Sequence, residues 1–215
     1  MKFNLKYNHF NWGPYLFECQ ISPHIIDRLT VEGMKVKNFR PEDNYNKELA
    51  GHLKHQYLYP VGVQEWFYNE FTPYLQAYRH GHSKYHGLDN LEVDLQPVDL
   101  WINYMKPGDY NPPHTHGGDY SFVIFLDVPE ELKKEMEDFE GTASKPGHLL
   151  FRYGQTAKPH WASTEIPIVP HTGSCYIFPA LLEHTVNPFK SNITRVSVSG
   201  NIEIANRRDL PKDYY

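Results

Sequence analysis

The second half of the chain is divided into short apolar segments, and this texture constrains the fold more than any single motif. After about Gly87 the segments VDLWINYM, YSFVIFLDV, GSCYIF and TRVSVSGNIEIA are separated by clusters of Pro, Gly, Asn and Asp, such as KPGDYN. Short apolar runs bounded by turn residues are typical of β-strands. The sequence therefore predicts a mainly β fold, either a barrel or a sandwich.

Helical patterns precede the strands. SPHIIDRLTVEG opens with a Ser–Pro pair suited to a helix start, a second candidate covers residues 45–58, and a third covers residues 63–79, which Pro73 is expected to bend or restart. The histidine-containing segment RHGHSKYHG that follows is expected to be a flexible surface loop. Within the strand region, EELKKEMEDFE has the charged pattern of a solvated surface helix or loop. These patterns predict N-terminal helices that cover a β core.

Length, charge and cysteine content exclude several classes of protein. The 215 residues contain no internal repeat and no Gly/Ser linker, which favours one compact unit. A net charge of −5 argues against a protein that coats nucleic acid. The sequence has neither an apolar run of about 18 residues nor a signal-peptide pattern, so we expect a cytoplasmic protein with no membrane contact. Cys19 and Cys175 lie far apart in unrelated contexts, which supports neither a disulfide framework nor a cysteine-based zinc site and favours a reducing compartment.

Three histidines form a candidate metal site. His114 and His116 stand two residues apart in PPHTHGGD, and alternate residues of an extended segment point to the same face. His184 follows a later apolar strand, 68 residues after His116. Imidazole suits Zn, Cu, Fe and Ni, and a distant strand can add a third ligand that leaves open positions on the metal. The alternative is that the pair is an ordinary surface or hydrogen-bonded pair and that His184 is a core histidine.

A polar stripe follows the third histidine. In TRVSVSGN, strand alternation places Arg195, Ser197, Ser199 and Asn201 on one face. A guanidinium binds a carboxylate through two parallel hydrogen bonds, and a hydroxyl two residues further on lies within reach of the same group. Arg195 and Ser197 are therefore predicted to bind a carboxylate. The alternative is a solvent-facing Arg195 paired with a surface acid.

Together these residues resemble the 2-oxoglutarate- and iron(II)-dependent dioxygenases, whose pattern is H-x-D/E, a distal His and then R-x-S. The chain is most similar to a branch frequent in bacteriophage and marine bacterial genomes, in which W-x-N, H-x-H, S-x-V, F-P-x-x-L-x-H and R-x-S occur in that order. The corresponding segments here are residues 101–103, 114–116, 121–123, 178–184 and 195–197. The match covers about residues 100–201.

The resemblance implies a double-stranded β-helix, a jelly-roll and cupin-like barrel. It implies a single 2OG-Fe(II) oxygenase domain over residues 1–215, with residues 1–90 as a mixed helical support region and residues 91–205 as the β-helix core. A protein of this family that is encoded by a phage would act in the host cytoplasm, as a monomer or a homodimer.

The resemblance also implies two cofactors. Fe(II) would be bound by His114, His116 and His184. The keto acid end of 2-oxoglutarate would chelate the iron, while Arg195 and Ser197 would hold its far carboxylate. With O2 as the other cosubstrate, such an enzyme hydroxylates a C–H bond and releases succinate and CO2. The substrate would be an amino-acid side chain in a peptide or protein, or another small molecule, and not a nucleic acid.

The chain departs from the family at one metal ligand. His116 stands where the pattern has Asp or Glu, which leaves three interpretations open: a three-histidine site, a site completed by Asp119, and a two-histidine site in which water takes the third position. A missing carboxylate would leave the site one negative charge short. Two other functions therefore stay open, a non-catalytic metal-containing binding module and a three-histidine iron dioxygenase that does not use 2-oxoglutarate.

One further residue is a candidate for cosubstrate binding. Asn103 matches an asparagine that contacts the cosubstrate in the nucleic-acid demethylase branch, and Tyr104 resembles a cosubstrate tyrosine of the prolyl hydroxylase branch. Strand alternation allows only one of the two to face inward. We favour Asn103, because it shares its face with Trp101 and Met105 and because a buried Asn needs hydrogen-bond partners. The other ten of the 13 histidines are expected at the surface, in loops or in packing positions.

Overall fold

Two antiparallel β-sheets form the centre of the molecule, and helices cover one of them. The computed structural model describes residues 13–87, 93–154 and 164–206. The helices are α1 (Pro23–Phe39), α2 (Val61–His86) and α3 (Glu130–Glu137). The strands are β1 (Phe17–Gln20), β2 (Gln56–Leu58), β3 (Leu95–Met105), β4 (Asn111–His114), β5 (Tyr120–Asp127), β6 (Leu149–Arg152), β7 (Glu165–Ile168), β8 (Ser174–Pro179), β9 (Glu183–Val186) and β10 (Arg195–Ile204).

The strand order identifies the fold. The larger sheet has the order β1-β8-β5-β10-β3-β2 and the smaller one the order β4-β9-β6-β7. From β3 onwards the chain alternates between the sheets, with β6 and β7 as a hairpin in the smaller one. This winding is that of a double-stranded β-helix, so the predicted jelly-roll fold is confirmed. Within the described residues the sheets face each other and do not close into one hydrogen-bonded cylinder.

The larger sheet is buried on both faces. On β3, Leu100, Ile102 and Tyr104 belong to the core beneath the helices, whereas Met105 belongs to the core between the sheets. A strand that is buried on both faces reads as a continuous apolar run rather than as a clean alternation. This explains why the strand segments stand out so clearly in the sequence.

Helix α1 begins as the Ser–Pro pair predicts, with Ser22 before the first turn and Pro23 within it. Its buried residues are spaced by three and four positions and include Ile25 and Leu29. Gly33 lies on the same face, where an added Cβ would come within 2.3 Å of Ile102 Cδ1. The helix therefore packs closely on the larger sheet, and only glycine fits at the point of contact.

Helix α2 is longer than predicted, and the expectation of a surface loop after residue 79 is wrong. The helix continues through Pro73 and through the histidine-containing segment to His86. The buried side chains Tyr78 and His82 extend the apolar stripe of the helix into that segment. Gly81 has no side chain, and this leaves room for the Tyr15 hydroxyl, which an added Cβ would overlap. Tertiary packing thus overrides the loop-like local composition.

The helix expected over residues 45–58 is also absent. The described segment instead contains two single 3-10 turns, Pro41–Asp43 and Asn46–Glu48, followed by β2. Residues 56–58 pair with residues 101–103 of β3 at the edge of the larger sheet. The backbone of this segment therefore forms hydrogen bonds with a strand that is distant in the sequence. Local propensity does not reveal such a partner.

The two cysteines lie opposite each other, so the expectation that their contexts are unrelated is wrong. Strand β1 pairs with β8, and Cys19 and Cys175 are direct partners in that register. Both are free thiols. The pairing joins the first strand of the described chain to a strand more than 150 residues later, and nothing local to either cysteine signals it.

The charged segment after β5 is a helix, as one of the two interpretations predicts. Leu132 and Met136 are the buried residues of α3, and its charged side chains lie outside. Within the described ranges, none of the helices combines the length and apolar character needed to span a bilayer.

Candidate metal centre and anion pocket

The three predicted metal-ligating histidines converge at one end of the space between the sheets. His114 on β4 and His184 on β9 are register partners, and His116 follows β4 by two residues. One nitrogen from each ring lies within 4.8 Å of the other two. The Nε2 atoms of His116 and His184 are 3.1 Å apart. The structure thus joins residues that the sequence separates by 68 positions.

Backbone carbonyls fix the orientation of two of the rings. His114 Nδ1 lies 2.7 Å from the Pro112 carbonyl oxygen, and His184 Nδ1 lies 2.9 Å from that of Leu182. A carbonyl only accepts hydrogen bonds, so each Nδ1 carries the proton and donates. The Nε2 atom of each ring is then left with its lone pair. Contacts of this kind orient histidines that bind metals.

The group has the spacing and charge state that a divalent metal requires. A metal–nitrogen bond of about 2.1 Å implies a separation of about 3.0 Å between two nitrogens at right angles, close to the 3.1 Å observed. Burial, reinforced by neighbouring histidines, lowers the pKa of His116 to about 4 and that of His184 to about 3. Burial also lowers the pKa of His114. The rings are therefore neutral near pH 7, which is the form that binds metals.

Asp119 is not part of this group. Its carboxylate accepts a hydrogen bond of 2.8 Å from the Ile204 backbone N–H, and its own N–H donates to Ile202. Gly118, at φ +84°, lies in the turn before β5, and an added Cβ there would lie 2.9 Å from the Ile202 carbonyl oxygen of β10. The carboxylate is thus committed to the end of β10.

A buried, unpaired cation occupies the other end of the pocket. Arg195 is 4% exposed, and its Nη1 donates to the Gly147 carbonyl oxygen at 2.9 Å. Its Nε has no hydrogen-bond partner, and no acidic group of the described residues forms an ion pair with it. Burial lowers its pKa to about 10, which still leaves it charged at neutral pH. A buried charge without a partner is costly, so this site favours an anionic ligand.

Asn103 lies beside the arginine strand. Its Nδ2 is 3.4 Å from Ser199 Oγ and 3.5 Å from Ser197 Oγ, while its Oδ1 accepts a hydrogen bond of 2.8 Å from Gln56 Nε2. These contacts of Nδ2, and a third of 3.5 Å to the Ser197 carbonyl oxygen, are all long, so this amide can still donate to a ligand. Tyr104 faces the helices instead, where the Lys37 ammonium lies 4.2 Å from its ring. Strand alternation therefore brings Asn103, and not Tyr104, to the pocket.

The metal and anion groups share one pocket. It is a narrow cavity with a free volume of about 50 Å³, and it opens to solvent at its mouth. Apart from the polar groups above, most of its wall is apolar and excludes water. The lining residues are Leu53, Trp101, Asn103, Asn111, His114, His116, Phe122, Val123, Phe125, Leu149, Phe178, His184, Val186, Arg195, Ser197 and Ser199.

Sequence reasoning missed several residues that support the site. Gln56 orients Asn103, and the Gly147 carbonyl holds Arg195. Neither has a local signal, because each contact joins distant parts of the chain. Tyr110 stacks on His52 at 4.6 Å beside the Asn111 wall. His160 and Trp161, which belong to the insert between the metal-site strands, lie outside the described residues.

Residues 99–201 match a family model described as "Putative 2OG-Fe(II) oxygenase". That range contains every predicted site residue and covers almost half of the chain. The sequence matches no curated protein. The predicted superfamily is confirmed, and with it the Fe(II) and 2-oxoglutarate that the family uses.

Solved structures share the fold at low sequence identity. The viral collagen prolyl hydroxylase vCPH from Paramecium Bursaria Chlorella virus-1, in its 2OG complex, has a TM-score of 0.56 and 15% identity over 88% of this chain and 96% of that chain. A Pseudomonas putida prolyl-4-hydroxylase has a TM-score of 0.56 and 15% identity over 89% and 93%. A Trichoplax adhaerens prolyl hydroxylase, in complex with a hypoxia inducible factor oxygen degradation domain peptide fragment, has a TM-score of 0.51 and 9% identity over 90% and 84%.

Proposed function

We propose, because residues 99–201 match the family model of a 2OG-Fe(II) oxygenase, that the protein is a 2-oxoglutarate-dependent hydroxylase. One observation carries the proposal. A cluster of neutral histidines and an unpaired buried arginine lie at two ends of one pocket, which suits a ligand that chelates a metal at one end and carries a carboxylate at the other. We also propose that residues 1–90 act as a helical support and residues 91–205 as the β-helix core.

His114, His116 and His184 are the proposed iron ligands. Three protein ligands leave coordination positions for the keto acid and O2. When bound, Fe(II) supplies the oxidising chemistry by which O2 and 2-oxoglutarate give a hydroxylated product, succinate and CO2. The Pro112 and Leu182 carbonyls contribute by keeping the Nε2 lone pairs aimed at one point.

Arg195, Ser197 and Asn103 are the proposed residues for the far carboxylate. The free Nε–H of Arg195 and the Ser197 hydroxyl lie on the same face of β10 and can donate to one carboxylate. Asn103 Nδ2 adds a further donor from β3. Burial of these groups strengthens each hydrogen bond and selects a dianionic ligand over a neutral one.

The proposed substrate is a prolyl or another amino-acid side chain in a peptide or protein. This rests on analogy of fold with prolyl hydroxylases, one of which is named for collagen and one of which was solved with a peptide fragment. The apolar part of the pocket wall fits an aliphatic side chain better than a charged one.

Succinate formation that requires both Fe(II) and 2-oxoglutarate tests the proposal. In a thermal-shift titration, 2-oxoglutarate with metal is expected to raise the melting temperature of the wild-type protein, because a ligand of the native state stabilises it. Arg195→Met is expected to weaken 2-oxoglutarate binding about 10- to 100-fold, the value of a charge-assisted hydrogen bond. Arg152→Met, outside the pocket, is the matched control.

Two results would contradict the proposal. A tightly bound zinc ion without 2-oxoglutarate affinity would identify a non-catalytic module. Oxygen consumption that does not depend on 2-oxoglutarate would identify a three-histidine dioxygenase of another kind.

A further inference from the structure

Cys19 and Cys175 form a thiol pair remote from the histidines. Residues that lie directly opposite in an antiparallel pair have side chains on the same face of the sheet, and these two are register partners between β1 and β8. The two side chains are close enough for each thiol to shift the pKa of the other. Cys175 is fully buried in the helix-side core, and Cys19 is half-buried.

Neither thiol has another evident role. Among the described residues, the group whose side chains could hold a metal ion consists of the three histidines. Neither cysteine belongs to it. The pocket lining does not include them. The pair therefore calls for its own explanation.

We propose that Cys19 and Cys175 form a reversible intramolecular disulfide when the protein meets a peroxide. Directly opposed residues of antiparallel strands have Cα atoms about 4.5–5.5 Å apart, within the range of about 4.4–6.8 Å that disulfides bridge. Among the residues that the structure describes, strand β1 is at the edge of the larger sheet and has β8 as its single neighbour. It can therefore shift to bring the sulfur atoms into bonding distance, while β8 stays fixed between β1 and β5.

The two thiols differ in a way that suits sequential oxidation. The neighbouring Cys175 thiol lowers the pKa of Cys19, and burial raises the pKa of Cys175. The more exposed Cys19 is thus the nucleophile. Its thiolate attacks one oxygen of hydrogen peroxide, the O–O bond breaks, and after protonation a sulfenic acid and one water are formed.

The second step closes the bond. The Cys175 sulfur attacks the sulfenic sulfur, the S–O bond breaks, and the departing hydroxide takes the thiol proton and leaves as a second water. In total, two thiols and one hydrogen peroxide give one disulfide and two waters, and the two sulfurs together lose two electrons. A thiol reductant restores the two thiols by thiol–disulfide exchange and is itself oxidised to a disulfide.

The disulfide would attach the edge strand to the body of the sheet. It closes a loop that spans most of the chain, and a long closed loop restricts the unfolded state more than a short one. In a reducing compartment the dithiol is the resting form, and cytosolic disulfides are usually transient and redox-sensing. The predicted effect is a gain in stability under oxidation, independent of metal or 2-oxoglutarate.

Hydrogen peroxide treatment of the reduced full-length protein tests the proposal. We expect both thiols to be lost, the intact mass to fall by two hydrogens, a Cys19–Cys175 cross-linked peptide to appear, and the melting temperature to rise until dithiothreitol is added. Cys19→Ser and Cys175→Ser are each expected to abolish the rise. The cross-linked peptide is sought in wild-type protein, so this part of the test does not depend on the folding of a variant.

Three outcomes would overturn the proposal. These are persistence of both thiols under denaturing titration, conversion of Cys19 to a sulfinic acid while Cys175 stays reduced, and disulfide-linked dimers in place of the intramolecular bond.

Discussion

The tautomers of two of the site histidines, His114 and His184, are set by neighbours that carry no charge. The carbonyls of Pro112 and Leu182 each stand two residues before the histidine whose Nδ1–H they accept. Such contacts keep the lone pairs in place without adding a negative charge to the site. In a centre with three neutral histidines, the charge of the bound metal is then balanced by anionic ligands rather than by the protein.

The third metal ligand can be tested by paired variants. Because the Asp119 carboxylate is bound to the Ile204 N–H, Asp119→Asn is expected to retain iron stoichiometry and to lower stability by about 1 kcal/mol. His116→Ala is expected to lose iron, since it removes one of the three converging nitrogens. Metal analysis of both purified proteins, with unfolding curves, measures this. Loss of iron in the Asp119 variant alone would mean that the carboxylate is the ligand.

Gln56 is expected to position Asn103. Its Nε2–H donates to Asn103 Oδ1, which leaves the Asn103 amide N–H groups for the pocket. In Gln56→Glu a carboxylate replaces the donor and would repel Oδ1, so Asn103 would turn its carbonyl towards the anion site. We expect the KM for 2-oxoglutarate to rise about 10-fold, the cost of one lost buried hydrogen bond, with a smaller change in kcat.

The matched control for this prediction is Gln64→Glu. Gln64 donates a similar hydrogen bond, to the Tyr59 carbonyl, at the start of α2 and away from the pocket. An equal rise in KM for both variants would mean that added negative charge, and not the orientation of Asn103, causes the effect.

Helices and strands were predicted correctly where neighbouring residues alone determine the structure, and were missed where distant contacts determine it. The alternation of β10 correctly separates Arg195 and Ser197 from the apolar residues that face the helices, because strand geometry alone decides it. The strand β2 was not predicted, because it forms its backbone hydrogen bonds with β3, which is distant in the sequence. The end of α2 was not predicted either, because aromatic packing around His82 holds a segment that contains a glycine.

Helix α1 offers a direct test of close packing between elements. Gly33→Ala would gain helix propensity of about 1 kcal/mol, but the new methyl group would meet Ile102 and the Tyr59 and Tyr104 hydroxyls. We expect a net loss of about 1–2 kcal/mol in the free energy of unfolding, because overpacking in a filled core is destabilising. Urea unfolding measures it.

Gly62→Ala in the first turn of α2 is the comparison. No atom lies within 4 Å of the Cβ it would add, so this variant is expected to be neutral or slightly stabilising. A stable Gly33→Ala protein would show that α1 can move away from the sheet without cost.

For the whole molecule, the decisive feature is that the site joins both sheets. The histidines come from or directly follow strands of the smaller sheet, whereas Arg195, Ser197 and Asn103 come from the larger one. The motifs indicated which residues belong to the site. The distance between the histidines and the residues around Arg195, however, depends on how the two sheets face each other. No sequence spacing encodes that distance, so the pocket itself could not be predicted.

Buried neutral histidines also determine how the metal-free molecule responds to acid. Burial, with Coulombic contributions from His86 and Arg79, lowers the pKa of His82 to about 4, and Tyr15, Tyr78 and Tyr120 surround its ring. Between this value and the unfolded pKa near 6.5, the unfolded chain binds more protons than the folded one. Stability therefore rises with pH across this window and is lost as the pH falls from about 6.5 to 4.

We expect His82→Gln to reduce this pH dependence by about 1–3 kcal/mol between pH 7 and pH 4, even if the variant is less stable at neutral pH, because the residue that must be protonated on unfolding is gone. His80→Gln, on the exposed side of the same helix, is the control and should keep the wild-type slope. Urea unfolding of metal-free protein at several pH values measures both. An unchanged slope in His82→Gln would assign the acid sensitivity to other histidines whose pKa values burial lowers, and suppression by added metal would identify those of the site.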